Sequence, residues 1–562
     1  MGVDSIAMSR GHAVWVASLA AVLGCGDPPK PASTDGATPD GMIGPPTASS
    51  WLGVNVSGDL PWSDITHLLA PFGTPLAQRD AHGYPMAGVS GTSQTDIGFL
   101  LPSGTYKISY EGTGALAVAG IATVAGGWQA VGNEHRATLT ITGTPGAFGH
   151  ALILNVTNTG TQSVTAIHIY APGLDYDTAA TFRPELLALL GRFRTMRFMD
   201  WENTNGSTLA NWADRASPTE FGRSPNGVAF EHIAELVNVT GKDAWLTIPE
   251  HATDDFIHQL AQLMAAKLDF ARIASARQAQ GIATPFELIV ENSNETWNTG
   301  FTAYQTFLDA ANANPQRYTG VYDGTYGPAF MTSNASLMKV GQYEADRLVT
   351  IGTIFKQELG ANASVVKPVL AGWALGAAYS DVGLRFIRAN YGEPKDHVAY
   401  VAQAPYFGPE EAETGSLASL FASANANVQA MHATFLDFAK LGTEYGISIA
   451  AYEGGQGLSG TTNQTIKHLA QHDQRMYDAY NAYFALWKQD LGKALFCHFT
   501  LAETPGIPDF VYQYGYWGSI ISIDEDTHAC APDLPTLTGT EAIASVVHHC
   551  PKYRALAEQA LQ

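Results

Sequence analysis

From about residue 180 onward, short β-branched apolar runs alternate with stretches of helical periodicity, and that alternation leaves few folds open. The runs are Thr195–Asp200, Ala244–Pro249, Phe286–Asn292, Val365–Gly372, His397–Ala404, Ile447–Tyr452 and Ala494–Thr500. Apolar repeats at helical spacing separate them, for example over Asp255–Leu268, Leu337–Leu359 and Val428–Tyr445. Strands that are apolar throughout bury both faces, and intervening helices return the chain for parallel pairing. The expected fold class is α/β, a (β/α)8 barrel, and these runs are one strand short of closure.

Trp51–Val56, followed by a short helix around Trp62–Phe72, supplies the missing strand as the first of the barrel. Between that helix and residue 180 the texture changes. Tyr106–Tyr110, Ala115–Ala119, Ala137–Ile141, Ala151–Val156 and Ala166–Tyr170 are short alternating runs broken by Gly, Asn, Thr and Pro. They read as an antiparallel sandwich. The expected plan is a first strand and helix over residues 51–74, an inserted sandwich over 75–175, and the rest of the barrel with a C-terminal tail over 176–562. The alternative is a separate N-terminal β-domain and a barrel whose eighth strand lies elsewhere.

Ahead of this body, Arg10 precedes an apolar run, Ala13–Leu23, that ends in Leu23-Gly24-Cys25. The run is too short to span a bilayer and has the form of a signal peptide over residues 1–24. Its ending resembles a lipobox, which implies lipidation of Cys25; an ordinary signal peptide with an incidental Cys is the plainer alternative. Residues 25–50, rich in Pro, Gly, Thr and Ser, read as a flexible tether. The expected location is exported and membrane-anchored by lipid, at a bacterial cell surface or in the periplasm. Export permits a disulfide between Cys530 and Cys550, which flank a Pro-rich loop, while Cys497 sits in an apolar run as a small hydrophobe. His528, Cys530, His548, His549 and Cys550 match no standard zinc spacing, so no metal is expected. A net charge of −22 excludes nucleic acid as a partner, since phosphates demand Lys/Arg patches. A monomer is expected.

Two of the runs end abruptly in carboxylates. Phe286–Val290 leads into Glu291-Asn292-Ser293-Asn294-Glu295-Thr296-Trp297-Asn298, and Ile447–Ala451 into Tyr452-Glu453-Gly454-Gly455. Counted from Trp51–Val56, Glu295 follows strand four and Glu453 follows strand seven. Groups at the C-terminal ends of barrel strands share the mouth where that fold collects its chemistry. Two carboxylates there can divide labour, one protonated as an acid and one ionised as a nucleophile, if their environments differ. Each alone is also a plausible member of a structural ion pair.

An Asn-Glu pair after strand four and a Glu after strand seven resemble the clan A retaining glycoside hydrolases. Arg197-Phe198-Met199-Asp200-Trp201, Ser293-Asn294-Glu295-Thr296-Trp297-Asn298 and Tyr452-Glu453-Gly454-Gly455 also resemble the signatures of exported bacterial cellulase-like or cellulose-binding proteins, with Thr296 in place of a commoner Val, an exchange not expected to affect the chemistry. The resemblance spans roughly residues 51–560. It implies Glu295 as general acid/base, Glu453 as nucleophile, and Asn294 on the sugar 2-hydroxyl. It further implies Arg197 and Tyr406 on the nucleophile, and His251 near the acid. Tyr406 stands in Gln403-Ala404-Pro405-Tyr406, without the His-x-Tyr arrangement of some members. Strand eight brings His498, Thr500 and Glu503, not the usual Trp, and leaves Trp517 as the nearest sugar platform. Trp201, Trp212, Trp297 and Trp373 are further stacking candidates, each equally suited to the core.

The implied activity is cleavage of a β-linked neutral polysaccharide or oligosaccharide without a cofactor, through carboxyl groups about 5–5.5 Å apart. Two other functions fit the same sequence: a surface protein that binds glycan without cleaving it, and a transglycosylase using the same residues. Asp200 and Glu250 are spare strand-end carboxylates. Neither a Gly-x-Ser-x-Gly elbow nor a His-Glu-x-x-His helix is present. Thr302–Asn334, with its Gly, Asn, Pro and Tyr content, reads as a long irregular segment shaping a cleft.

Overall fold

The strands in chain order are β1 (Leu52–Asn55), β2 (Gly91–Asp96), β3 (Gly104–Gly112), β4 (Ala115–Gly120), β5 (Ala122–Val131), β6 (Glu134–Ile141), β7 (Ala151–Thr157), β8 (Val164–Tyr170), β9 (Thr195–Arg197), β10 (Asp243–Ile248), β11 (Leu288–Asn292), β12 (Val366–Ala371), β13 (Tyr400–Gln403), β14 (Tyr406–Phe407), β15 (Ser448–Ala451), β16 (Gly455–Gln456) and β17 (Leu495–His498). This computed structural model describes residues 48–57, 60, 62–96, 103–142, 151–409, 411–502, 515–520 and 550–562. Eight strands close a parallel barrel in the order β1-β17-β15-β13-β12-β11-β10-β9. The fold is a (β/α)8 barrel. Closure runs through β1, whose Gly53 registers with Cys497 on one side and Thr195 on the other.

Side-chain parity fixes what faces inward. Trp245, Ile289, Val369, Ala402, Ala450 and Cys497 form a buried cluster drawn from the strands, with no helix residue. This is the barrel interior. The intervening Leu246 and Val290 pack with helix residues such as Phe256, Ile257 and Phe355. Register then extends the inward parity to the barrel mouth. Arg197 pairs with Trp245, Asn55 with Arg197, and Glu291 lies two residues beyond Ile289. Three polar side chains therefore end the interior column.

Strands β2–β8 lie in the chain between the first and second barrel strands and form two antiparallel sheets, β5-β6-β3-β8 and β2-β7-β4. Tyr106, Ile108, Leu139 and Ile169 of one sheet share a core with Leu116, Leu152, Leu154 and Val156 of the other. Two of the seven strands carry no sequence signal. Residues 91–96 are entirely polar or Gly, and β5 is mostly exposed, with its register broken between Ala125 and Gln129 around Gly126-Gly127.

Other differences are local. Of the helix expected over Trp62–Phe72, only a 3-10 turn forms at Ile65–Leu68, with Asp64 accepting from the Thr66 backbone N–H. Thr302–Asn334 is not irregular throughout: it contains helices Thr302–Ala313 and Ala329–Thr332. In the first of these, Ala303, Tyr304, Phe307 and Ala311 line one buried face at helical spacing, and that periodicity outweighs the local turn formers. The last tether residues also belong to the body. Ala48 and Ser49 are buried, and the Ser49 N–H donates to the Arg192 carbonyl at 2.9 Å. The signal segment, Cys25 and the tether up to residue 47 lie outside the described residues, as do Glu503, His528, Cys530, His548 and His549. Cys550 is disulfide-bonded, and Cys497 is a free, buried thiol.

Candidate active site

Arg197 organises the mouth of the barrel. Its guanidinium is fully buried, and all of its hydrogen-bonding nitrogens are engaged. Nε and Nη2 donate to the two oxygens of Glu291 at 3.0 and 3.1 Å. Nη1 donates to Asn55 Oδ1 at 3.0 Å and to Glu453 Oε1 at 2.7 Å, while Nη2 also reaches Asn294 Oδ1 at 2.7 Å. One planar cation thus ties together the ends of strands one, two and four and the loop after strand seven. Lysine offers no such fork.

Glu453 is held on both oxygens. Arg197 grips Oε1, and the Tyr406 phenol donates to Oε2 at 2.8 Å. Tyr406 reaches it because β14 and β16 form a two-stranded parallel extension beyond the barrel, with Tyr406 in register with Gly455. The Gly pair after Glu453 has a steric basis. Gly455 has φ of 128°, and a Cβ there would lie 2.8 Å from both His498 Nε2 and Tyr480 Oη.

Glu295 sits in a loop that Ser293 and Glu295 enter with φ of 64° and 43°, a left-handed conformation that costs a non-Gly residue about 1–2 kcal/mol. Several contacts hold that shape. The Ser293 N–H donates to the Ile248 carbonyl at 2.8 Å, and Asn294 Nδ2 donates to Asn205 Oδ1 at 2.9 Å. Asn298 Nδ2 donates to Glu295 Oε2 at 2.8 Å. Burial raises the Glu295 carboxyl to about 8, with the negative charge of Glu453 adding to the effect. Glu453 and Glu295 both lie near the phenols of partly buried Tyr406 and buried Tyr452, so both carboxyls border one site. At neutral pH Glu295 is a proton donor, while the atoms around Glu453 are donors suited to a carboxylate.

The remaining candidates divide. Trp297 belongs with the site: its indole N–H donates to Tyr452 Oη at 3.0 Å, and its ring stacks on Trp373 at 5.1 Å and 7°. Trp517 packs edge-on against Phe499, which in turn meets Tyr406, so it neighbours the Glu453 side. His251 does not meet Glu295. A turn closed by the Ala252 N–H on the Pro249 carbonyl carries it outward, 43% exposed, with Nε2 3.4 Å from Glu250 Oε1. Trp201 is core: it is 1% exposed, packs among Trp62, Phe182 and Phe198, and donates to the Ser57 carbonyl. Asp200 lines a separate, half-open pocket with Trp62, Arg223 and His232.

Two members of the Arg197 network escape sequence reasoning. Glu291 looks like part of the Glu295 motif, yet it points into the barrel, 1% exposed, and also accepts from Trp245 Nε1 at 2.7 Å. Asn55 fixes Arg197 while its own Nδ2 donates to the carbonyls of Tyr452 and His498. Strand parity was the available signal for Glu291; nothing in the sequence marks Asn55. Removing the cation from this network leaves two buried carboxylates unpaired. Arg197→Met is therefore expected to cost about 3–5 kcal/mol of stability. The readout is a lower denaturant midpoint at unchanged m-value, with a smaller loss for Arg197→Lys.

No family model matches the chain, and no curated protein matches it in sequence. Glycoside hydrolases are among the solved structures that align with it. The CBM22-1 and GH10 modules of the Clostridium thermocellum endo-1,4-β-D-xylanase 10B, complexed with xylohexaose, are 13% identical, with 81% of this chain and 91% of that chain covered and a TM-score of 0.34. A GH5-4 broad specificity endoglucanase from Ruminococcus champanellensis is 12% identical over 69% of this chain and 87% of its own, with a TM-score of 0.33. A modular endo-β-1,4-mannanase from Cellulomonas fimi is 12% identical over 60% and 68%, with a TM-score of 0.28.

Proposed function

We propose that this chain is a retaining glycoside hydrolase that cleaves a β-linked, neutral polysaccharide or oligosaccharide. The observation that carries the reading is the unequal treatment of two carboxyls at one barrel mouth. Glu453 receives a cation and a phenol, whereas Glu295 is held in its protonated form by burial and the charge beside it.

Glu453 attacks the anomeric carbon as Glu295 gives its proton to the departing glycosidic oxygen. The C–O bond to the leaving sugar breaks and a glycosyl ester to Glu453 forms. Water then attacks that carbon, Glu295 takes its proton, and the ester bond breaks, returning both carboxyls to their starting states. Asn294, already oriented by Arg197 and Asn205, is placed to hydrogen-bond the sugar 2-hydroxyl. The Trp297–Trp373 stack and Trp517 are candidate aromatic platforms for sugar rings.

The test is a panel of β-glucans, xylans and mannans assayed for new reducing ends, with NMR of the first-formed anomer. A β-anomer supports the reading; an α-anomer overturns retention; no cleavage by wild type favours a surface glycan binder. Products longer than the substrate assign transglycosylation to the same residues.

We also propose that the chain is exported and lipid-anchored through Cys25. Metabolic labelling with palmitate is expected to mark the wild type and not Cys25→Ser, which is released to the medium. A Cys25→Ser protein still held at the membrane counts against the anchor.

A further inference from the structure

Thr296 lies between the acid Glu295 and the stacked Trp297, at the centre of a loop in left-handed backbone. Its hydroxyl points away from the cleft into the body of the protein. There it meets Glu344, from helix Ala335–Leu359, with Oγ1 and Oε2 2.5 Å apart. It also meets Tyr379, near the start of helix Ala378–Tyr391, at 2.8 Å. Tyr379 Oη is in turn 2.5 Å from the same Glu344 oxygen. All three residues are at most 2% exposed. Three oxygens from three separate elements therefore close a triangle directly behind the acid.

We propose that Glu344 and Tyr379 are positioning residues for Glu295, acting through Thr296 to lock the loop that carries the acid. The proposal rests on the hydrolase reading given above. Three contacts among three hydroxyl-type oxygens form a closed ring only when each oxygen donates once and accepts once. That requires three protons, so Glu344 must keep its own. Burial supports this by raising the Glu344 carboxyl to about 8. The ring has a neutral, proton-rich composition and needs no counter-ion, which accounts for a buried glutamate with no cation beside it among the described residues. It also gives Thr296 a role that an apolar residue of the same shape cannot fill. Other ties act at Ser293, Asn294 and Trp297, and Asn298 holds Glu295 itself, while Thr296 fixes the loop to the body between the acid and its aromatic neighbour.

A lock on the acid has a signature that general support of the fold lacks. Thr296→Val keeps the shape and removes the hydroxyl. It is expected to slow cleavage of the natural glycan about ten- to hundredfold, as displacement of a catalytic group does. It should leave glycosylation by an activated aryl glycoside within about twofold of wild type, because that leaving group needs no proton. Glu344→Gln keeps the shape, but no single atom of its amide both donates and accepts, so one contact of the ring is lost and the natural glycan is expected to be cleaved more slowly than by wild type, though less so than in Glu344→Leu. Glu344→Leu is expected to behave like Thr296→Val, and Tyr379→Phe provides a milder variant should either fail to fold. Equal slowing on both substrate types, or no slowing in Thr296→Val, overturns the lock while leaving the hydrolase reading intact. A wild type inactive on every glycan and every activated glycoside overturns both.

Discussion

Glu453→Gln is expected to abolish turnover of every substrate, natural or activated, by about ten-thousand-fold or more, equivalent to about 5.4 kcal/mol of barrier. The amide that replaces the carboxylate is a poor nucleophile. Arg197 and Tyr406 both point donors at the two Glu453 oxygens, and Glu291, the other carboxylate on Arg197, is withdrawn into the barrel. The geometry also sets what the variant does to the fold. An amide cannot accept from Arg197 and Tyr406 equally well, since one of its two ends is a donor. Glu453→Gln should therefore carry a modest stability loss alongside the catalytic one, whereas Glu453→Ala should lose more. Covalent labelling by a fluorinated mechanism-based sugar, followed by intact mass, separates the two effects: a folded Glu453→Gln protein should remain unlabelled while wild type is trapped. Labelling of the variant would assign the nucleophile elsewhere.

How much of this site the chain discloses depends on periodicity. Barrel strands were legible because both faces are apolar, and the two carboxylates were legible because each interrupts such a run. Trp51–Val56 could be counted as a strand on the same basis. The polar strand Gly91–Asp96 and the exposed, bulged strand Ala122–Val131 carry no such pattern, because a sheet edge that faces water sets few demands on its side chains. Tryptophans gave the weakest guidance. Trp201 and Trp297 sit at comparable strand ends, yet one fills the core and the other joins the site, a difference decided by loop conformation and not by residue type. His251 is a similar case: the Pro249–Ala252 turn that contains it leaves it largely exposed beside Glu250. Arg197 is the converse case. The family resemblance implies its contact with Glu453, but its simultaneous contacts with Glu291, Asn55 and Asn294 arise only when four distant segments converge on a closed barrel.

Glu295→Gln is expected to separate substrates by their need for a proton. On natural glycans the rate should fall by up to about ten-thousand-fold, the upper range for loss of a general acid. On an activated aryl glycoside, formation of the glycosyl–enzyme should be nearly unaffected, so the intermediate accumulates and its hydrolysis becomes limiting, because Glu295 also serves as the base. The pH dependence follows from the raised pKa. Glu295 moves from 4.5 to about 8, so wild type keeps its acid protonated at neutral pH and should lose kcat/KM tenfold per pH unit above about 8. That alkaline limb should vanish in Glu295→Gln and persist in Glu344→Gln, although Glu344 is raised to the same range. The elevation bears on stability with the same sign. In the unfolded chain the carboxyl gives up its proton near 4.5, whereas in the folded protein it keeps it to about 8. Its contribution is therefore complete below 4.5 and lost as pH rises through 8. Glu202 and Glu344, raised to the same range by burial, add the same trend. The alkaline fall in stability should consequently shrink in Glu295→Gln without disappearing, while the alkaline fall in catalysis disappears. If the catalytic limb survives in Glu295→Gln, the acid is another residue, and the division of labour assigned to the two carboxyls does not hold.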